Sequence, residues 1–254
     1  MPPTSSAPAP RAPEAAKGPT PESSDGIVGA VTEQVGTKSE AVGERRWPMV
    51  LAVLVAVVMH QLLPDDFKLQ PLWVYPVVMA AFLVLLIAGD PGLIDQEKTW
   101  MRVVTGLLIA LMAFTNLVSA VRLVQGIFDG AAFATDAYQL LGLGTAIWAT
   151  NVIAFGLWYW DVDGGGAAHR AKKGAWADPA FVFPEMHLPE IKPGWFPQFA
   201  DYLALSFNTA TAFSPTDVSA IKPWAKMILV LESASSLVLA TLVIASAINN
   251  LGSS

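Results

Sequence analysis

The chain has 254 residues, of which 54% are hydrophobic and only 14% charged, against about 25% charge in an ordinary soluble domain. That deficit makes lipid rather than water the expected solvent for most of the chain. The acidic balance, a formal net charge of -6, argues against a nucleic-acid partner. The absence of cysteine excludes disulfides, thiolate-ligated zinc and thiol catalysis.

Residues 1–46 are rich in Pro, Ala, Ser and Glu. Such a segment buries too little apolar surface to offset the entropy of ordering, so it is expected to be a disordered N-terminal tail. A short amphipathic helix is expected within it around 29–42. No apolar stretch follows a basic start, so these residues do not read as a secretory signal.

A hydrocarbon core about 30 Å thick needs roughly 20 apolar helical residues. Five segments qualify in chain order: 47–63, 72–88, 100–124, 132–160 and 223–251. Each is bounded by breakers or charges, such as Pro64-Asp65-Asp66 and Asp161-Val162-Asp163. Trp47, Trp73, Trp100, Trp158, Trp160 and Trp224 lie near segment ends, where an aromatic belt places them. Alternating crossings put Arg45, Arg46, Lys98, Arg102, Arg170, Lys172, Lys173, Lys192, Lys222 and Lys226 on one side, and Lys68 and Arg122 on the other. The basic-rich side is expected to be cytoplasmic. The N-terminus is then inside and the C-terminus outside a bacterial plasma membrane.

Between the last two spans, residues 199–213 have helical character but are too short and polar to cross. A re-entrant or interfacial helix is expected there, because irregular backbone at membrane depth must be covered by protein or water. The expected organisation is a tail over 1–46, three spans over 47–131, and a unit over 132–254 made of span, cytoplasmic loop, short helix and span.

Two resemblances attach to this last unit. Trp158-Tyr159-Trp160-Asp161-Val162-Asp163-Gly164-Gly165-Gly166, Phe183-Pro184, Asp201-Tyr202 and the run Asn208 to Asp217 resemble an uncharacterised family of bacterial, mainly actinobacterial, multi-pass membrane proteins. The order of outer helix, short helix, Thr-rich turn ending in Asp, and inner helix is similar to the pore domain of tetrameric potassium channels. That second resemblance implies a homo-oligomer and an ion as cargo. Aligned on Asp217, however, a Thr-Val-Gly-Tyr-Gly filter falls on Ala212-Phe213-Ser214-Pro215-Thr216. Both glycines that give a carbonyl-lined filter its backbone freedom are missing, so potassium selectivity is not expected.

Polar residues inside the spans carry the remaining candidates. Glu232 lies deep in an apolar run, and an intramembrane carboxylate is by default a functional hypothesis. It either lines a cation or proton path or fixes helix packing. Ser206, Asn208, Thr209, Thr211, Thr216 and Asp217 are candidate pore or polar lining, since hydroxyls either replace ion hydration or satisfy backbone freed by a re-entrant turn. Asn116, Ser119 and Arg122 share one helix face and, with Asn151, form a candidate polar seam. Arg122 is placed to snorkel or to pair with Glu232 or Asp136. His60, His169 and His187 fall in no helical metal-ligand spacing, and no Gly-x-Ser-x-Gly or His-Glu-x-x-His signature occurs. Neither a cofactor nor enzymatic activity is expected.

The fold class expected is all-α: a polytopic membrane helix bundle with about five transmembrane helices and one short re-entrant or interfacial helix. The function expected is a channel-like membrane protein that conducts an ion, or alternatively a non-conducting scaffold that binds partners through its tail and cytoplasmic loop.

Overall fold

A bilayer offers a backbone amide no partner outside its own segment, so long apolar runs become helices. The structure, a computed structural model, describes residues 43–89, 93–94, 98–174, 176, 178–211 and 217–252. The chain divides into two units, Met1–Glu40 and Ala41–Ser254. The described residues belong to the second, and the expected helix around 29–42 lies outside them.

The described residues form eight α-helices in chain order: α1 Trp47–Leu62, α2 Val74–Gly89, α3 Thr99–Phe128, α4 Ala132–Thr135, α5 Ala137–Val162, α6 Ala167–Lys173, α7 Phe199–Thr211 and α8 Pro223–Gly252. Local chemistry sets their ends. Pro48 opens the first turn of α1, where its missing N–H costs nothing. Asp136 caps α5, its Oδ1 accepting from the Tyr138 and Gln139 amides at 2.9 and 3.3 Å, which satisfies two orphan donors of the first turn. Gly174, at φ +84°, closes α6 in the left-handed region that glycine adopts without penalty.

The chain is all-α, and three of its helices are long and apolar enough to cross a membrane: α3, α5 with its 3-10 extension to Gly165, and α8. The 30 residues of α3 extend about 45 Å at the helical rise. The segments 47–63 and 72–88 form shorter apolar helices of 16 residues each, about 24 Å long. Leu63, followed by Pro64, leaves the helical region at ψ 150° and ends α1 early, as a residue before proline is biased to do.

The most buried of the long helices is α5. It packs against α7, α8, α3 and α1, while α7 lies between α5 and α8, and α2 lies against α3 and α1. Two contacts depend on missing side chains. A Cβ on Gly144 would meet Val243 of α8 at 2.7 Å, and one on Gly156 would meet the Leu203 backbone of α7 at 3.1 Å. Backbone cannot yield as a side-chain tip can, so Gly156→Val should lower stability by about 1–3 kcal/mol. Gly142, with nothing within 4 Å of its Cβ direction, is the matched control. Thermal midpoints of the two variants in one detergent check this.

Two short antiparallel pairs tie distant segments. Glu44–Arg45 (β1) pairs with Leu93–Ile94 (β2), with Glu44 opposite Ile94. Phe181–Val182 (β3) pairs with Ser219–Ala220 (β4), with Phe181 opposite Ala220. The described structure takes in residues 43–46, the last four of the segment that composition assigns to the tail. The second pair belongs to a folded lobe over 163–220, built on an aromatic cluster. Phe181 sits 5.2 Å from Tyr159 and 6.3 Å from Tyr202, and Phe183 sits 5.2 Å from Tyr202.

Candidate functional site

Helix α7 has one buried face. Phe199, Tyr202, Ser206 and Thr209 follow at spacings of three and four, and all are buried, which is how a helical stripe faces a core. Along that face lie three buried carboxyl groups, each from a different part of the chain.

Glu44 of β1 is the first. Its Oε1 accepts from the Phe199 amide at 2.5 Å and its Oε2 from Trp160 Nε1 at 2.7 Å. The Phe199 amide is an orphan donor of the first turn of α7, and negative charge is favoured at that end of a helix. Burial nonetheless dominates, and it pushes the Glu44 carboxyl above the usual range in spite of these two donors.

Asp163 is the second. It follows α5 in the 3-10 turn Asp163–Gly165. Its Oδ1 accepts from the Ala180 and Phe181 amides at 2.5 and 3.3 Å, and its Oδ2 accepts from the Tyr202 hydroxyl at 2.5 Å. Arg170 of α6 closes over the same place. Its Nη1 donates to the carbonyls of Trp160 at 2.8 Å and Asp163 at 2.5 Å. Its guanidinium lies 4.9 Å from the Tyr202 ring centre, within range of a cation–π contact.

Glu232 of α8 is the third, and it is fully buried. The Tyr159 hydroxyl donates to its Oε2, and Ser206 Oγ lies in hydrogen-bond contact with its Oε1. Ser206 Oγ is also 2.7 Å from the Val152 carbonyl. A serine has one hydroxyl proton, so it cannot donate to both. The pattern closes when the carboxyl itself carries a proton, donates it to Ser206, and leaves the serine proton for Val152. Every polar atom then has a partner and no net charge is buried, which is the least costly arrangement in a low-dielectric interior.

The structure brings together two of the residues expected to line a pore, Glu232 and Ser206. The others are arranged differently. Thr209 is buried, donating to the Leu205 carbonyl at 2.8 Å, and its own carbonyl accepts from Ser233 Oγ at 3.2 Å. Thr211 donates to the Asn208 carbonyl at 3.0 Å, and Asn208 is half-buried. Asp217 is exposed. Thr216 lies outside the described residues.

The seam residues make contacts in two directions. Asn116 Nδ2 donates to Asn151 Oδ1 at 3.3 Å, and Asn151 Nδ2 to Ser236 Oγ at 3.2 Å, which links α3, α5 and α8. Ser119 donates to the Phe67 carbonyl at 2.9 Å. Arg122 Nη1 donates to the Asp66 and Lys68 carbonyls at 2.8 and 2.7 Å. Its contacts therefore hold the 64–71 loop, where the sequence alone suggested Glu232 or Asp136 as a charge partner.

Glu44, Tyr159, Asp163, Arg170 and Tyr202 are the site residues that sequence reasoning missed. The Asp161-Val162-Asp163 run is conspicuous but reads as the end of a span. Tyr202 and Ser206 are one helical turn apart, a signal that α7 presents its polar groups to a single face. Among the described residues, no group of three or more His, Asp and Glu side chains is placed to hold a metal ion. The side chains that α8 turns outward are mainly apolar, including exposed Met227, Val230, Leu237, Val238, Ile244 and Ile248, with exposed Ser235, Thr241 and Asn249 among them.

No protein-family model, no curated protein and no solved structure matches the chain.

Proposed function

We propose that the chain is a non-conducting, multi-pass scaffold of the bacterial plasma membrane, whose helix bundle holds the 163–220 lobe in a defined place. The observation that carries this reading is where the polar groups go. Glu232 bonds to Tyr159 and Ser206 of the same chain, while the exposed side chains of α8 are mainly aliphatic and include no carboxylate. A conducting helix would instead turn its carboxylate or hydroxyls toward a water-filled path. In this reading α1 and α2 also cross, with some local thinning of the bilayer to match their length. The N-terminus then lies inside and the C-terminus outside.

Purified protein in liposomes should pass no monovalent cation faster than empty liposomes do. A flux that Glu232→Gln and Thr211→Val both abolish sinks the scaffold reading. Its positive arm is capture of a partner that is lost when residues 1–46 or 165–195 are deleted.

One observation favours a second reading. Helix α7 is seated between α5 and α8, as a pore helix is seated between outer and inner helices. A channel-like homo-oligomer would use that seat, without potassium selectivity. Cross-linking through cysteines placed on the outward face of α8 separates the two: a closed ring of subunits supports the pore, and monomers support the scaffold.

A further inference from the structure

A cavity of about 480 Å³, within the size range of small-ligand sites, is lined by none of the three carboxyls along α7. It sits where α3 begins and α5 ends, against the Gly165-Gly166 turn. These are ends of two span-length helices, so the cavity lies at the depth of lipid headgroups. Arg46, Lys98 and Arg102 bring three positive charges to its wall, set against the carboxylate of Asp161. Each cation comes from a different place: Arg46 follows β1, Lys98 precedes α3, and Arg102 is in its first turn. Lys98 Nζ donates to the Gly89 carbonyl at 3.0 Å, which holds the ammonium at this level.

The rest of the wall is mixed: Ile94, Met101, Val103, Trp160, Ala167 and Ala168 are apolar, and Thr99, Thr105 and His169 are polar. Val103, which lines the cavity and is 55% exposed, continues down α3 in the direction of the bilayer core. Gly166 keeps the opposite wall open. Its φ is +93°, and a Cβ there would sit 3.3 Å from the Asp161 carbonyl, so a larger residue would meet both backbone strain and a close contact.

We propose that this cavity binds the phosphate headgroup of an acidic phospholipid, with an acyl chain lying along Val103. A soluble anion would gain from the cations but nothing from the apolar part of the wall, whereas an anionic amphiphile matches both. Basic pockets between helices on the cytoplasmic side are suited to such headgroups, and this side is the basic-rich one. The inference rests on the reading of the chain as a membrane protein, and recovery of folded protein in nanodiscs tests that reading separately.

The experiment compares thermal unfolding in phosphatidylcholine nanodiscs with and without phosphatidylglycerol. Wild type should gain roughly 5 °C from phosphatidylglycerol, the size expected of one saturated site in a chain of this length. Lys98→Gln with Arg102→Gln should lose that gain. Arg102→Lys, which keeps the charge, and Lys172→Gln, which removes an exposed charge elsewhere on the lobe, should both retain it. The midpoint of each variant in pure phosphatidylcholine establishes that it is folded. A gain that persists in the double variant, or no gain in wild type, overturns the proposal. So does an equal gain from inorganic phosphate added to detergent-solubilised protein, since that would assign the site to a soluble anion.

Discussion

Replacing Asp163 with alanine should release the 163–220 lobe from the bundle and cost about 3–5 kcal/mol, the range for removing one member of a buried charged network. The side chain holds three donors at once: the Ala180 and Phe181 amides and the Tyr202 hydroxyl. Alanine leaves all three buried without an acceptor, at about 1–3 kcal/mol for each one that water does not reach. The turn that Asp163 organises also supplies the Asp163 carbonyl that accepts from Arg170, which is itself buried. Asp163→Asn should cost less. Its amide oxygen still accepts the two backbone donors, and the Tyr202 hydroxyl then accepts from the amide nitrogen. The readouts are the thermal midpoint and chymotrypsin cleavage after the buried Phe181, which should become fast in Asp163→Ala. If alanine leaves both unchanged, Asp163 does not organise the lobe.

The second large effect should come from Glu232, and here the size depends on the replacement. Leucine fills the volume but strands the Tyr159 hydroxyl, and Ser206 keeps only its bond to Val152. A loss of about 1–3 kcal/mol is expected, since interhelical hydrogen bonds in membranes contribute less than their isolated strength suggests. Glutamine should be nearly neutral. Its oxygen accepts from Tyr159 and its nitrogen donates to Ser206, the same pattern of donors and acceptors as a protonated glutamate. Steric-trap or denaturant unfolding in bicelles measures both. A glutamine variant as unstable as the leucine one would mean that Glu232 is needed as a carboxylate, which would revive a role in moving cations or protons.

How far these features could be read in advance depended on whether the signal was local. Helices α3, α5 and α8 were legible because an apolar run with few charges has a single outcome in lipid. The short helix was legible too: 199–213 was expected and Phe199–Thr211 is found. Glu232 stood out because a carboxylate inside Met227-Ile228-Leu229-Val230-Leu231 and Ser233-Ala234 breaks the composition. Its partners did not stand out. Tyr159 is one aromatic residue in a belt of several, and Ser206 is one hydroxyl in a polar helix. Nothing in periodicity links Asp163 to Tyr202 across 39 residues. Glu44 was hidden most completely. A window average over a Pro- and Ala-rich tail gives no weight to a single glutamate, and its partner at Phe199 lies 155 residues away. The segments 47–63 and 72–88 came within two residues of the ends of α1 and α2, because hydropathy marks a span's extent but not where its first and last turns close.

The three carboxyl contacts along α7 also impose an order on synthesis. Glu44 leaves the ribosome 155 residues before Phe199, Asp163 leaves 39 residues before Tyr202, and Glu232 emerges 26 residues after Ser206. Helix α7 therefore cannot be fully seated until α8 is in place, because Ser206 meets Glu232 only then. Closure of the bundle thus follows synthesis of α8, and a nascent chain stalled before residue 232 carries every span-length helix but the last and a short helix with no final place to dock.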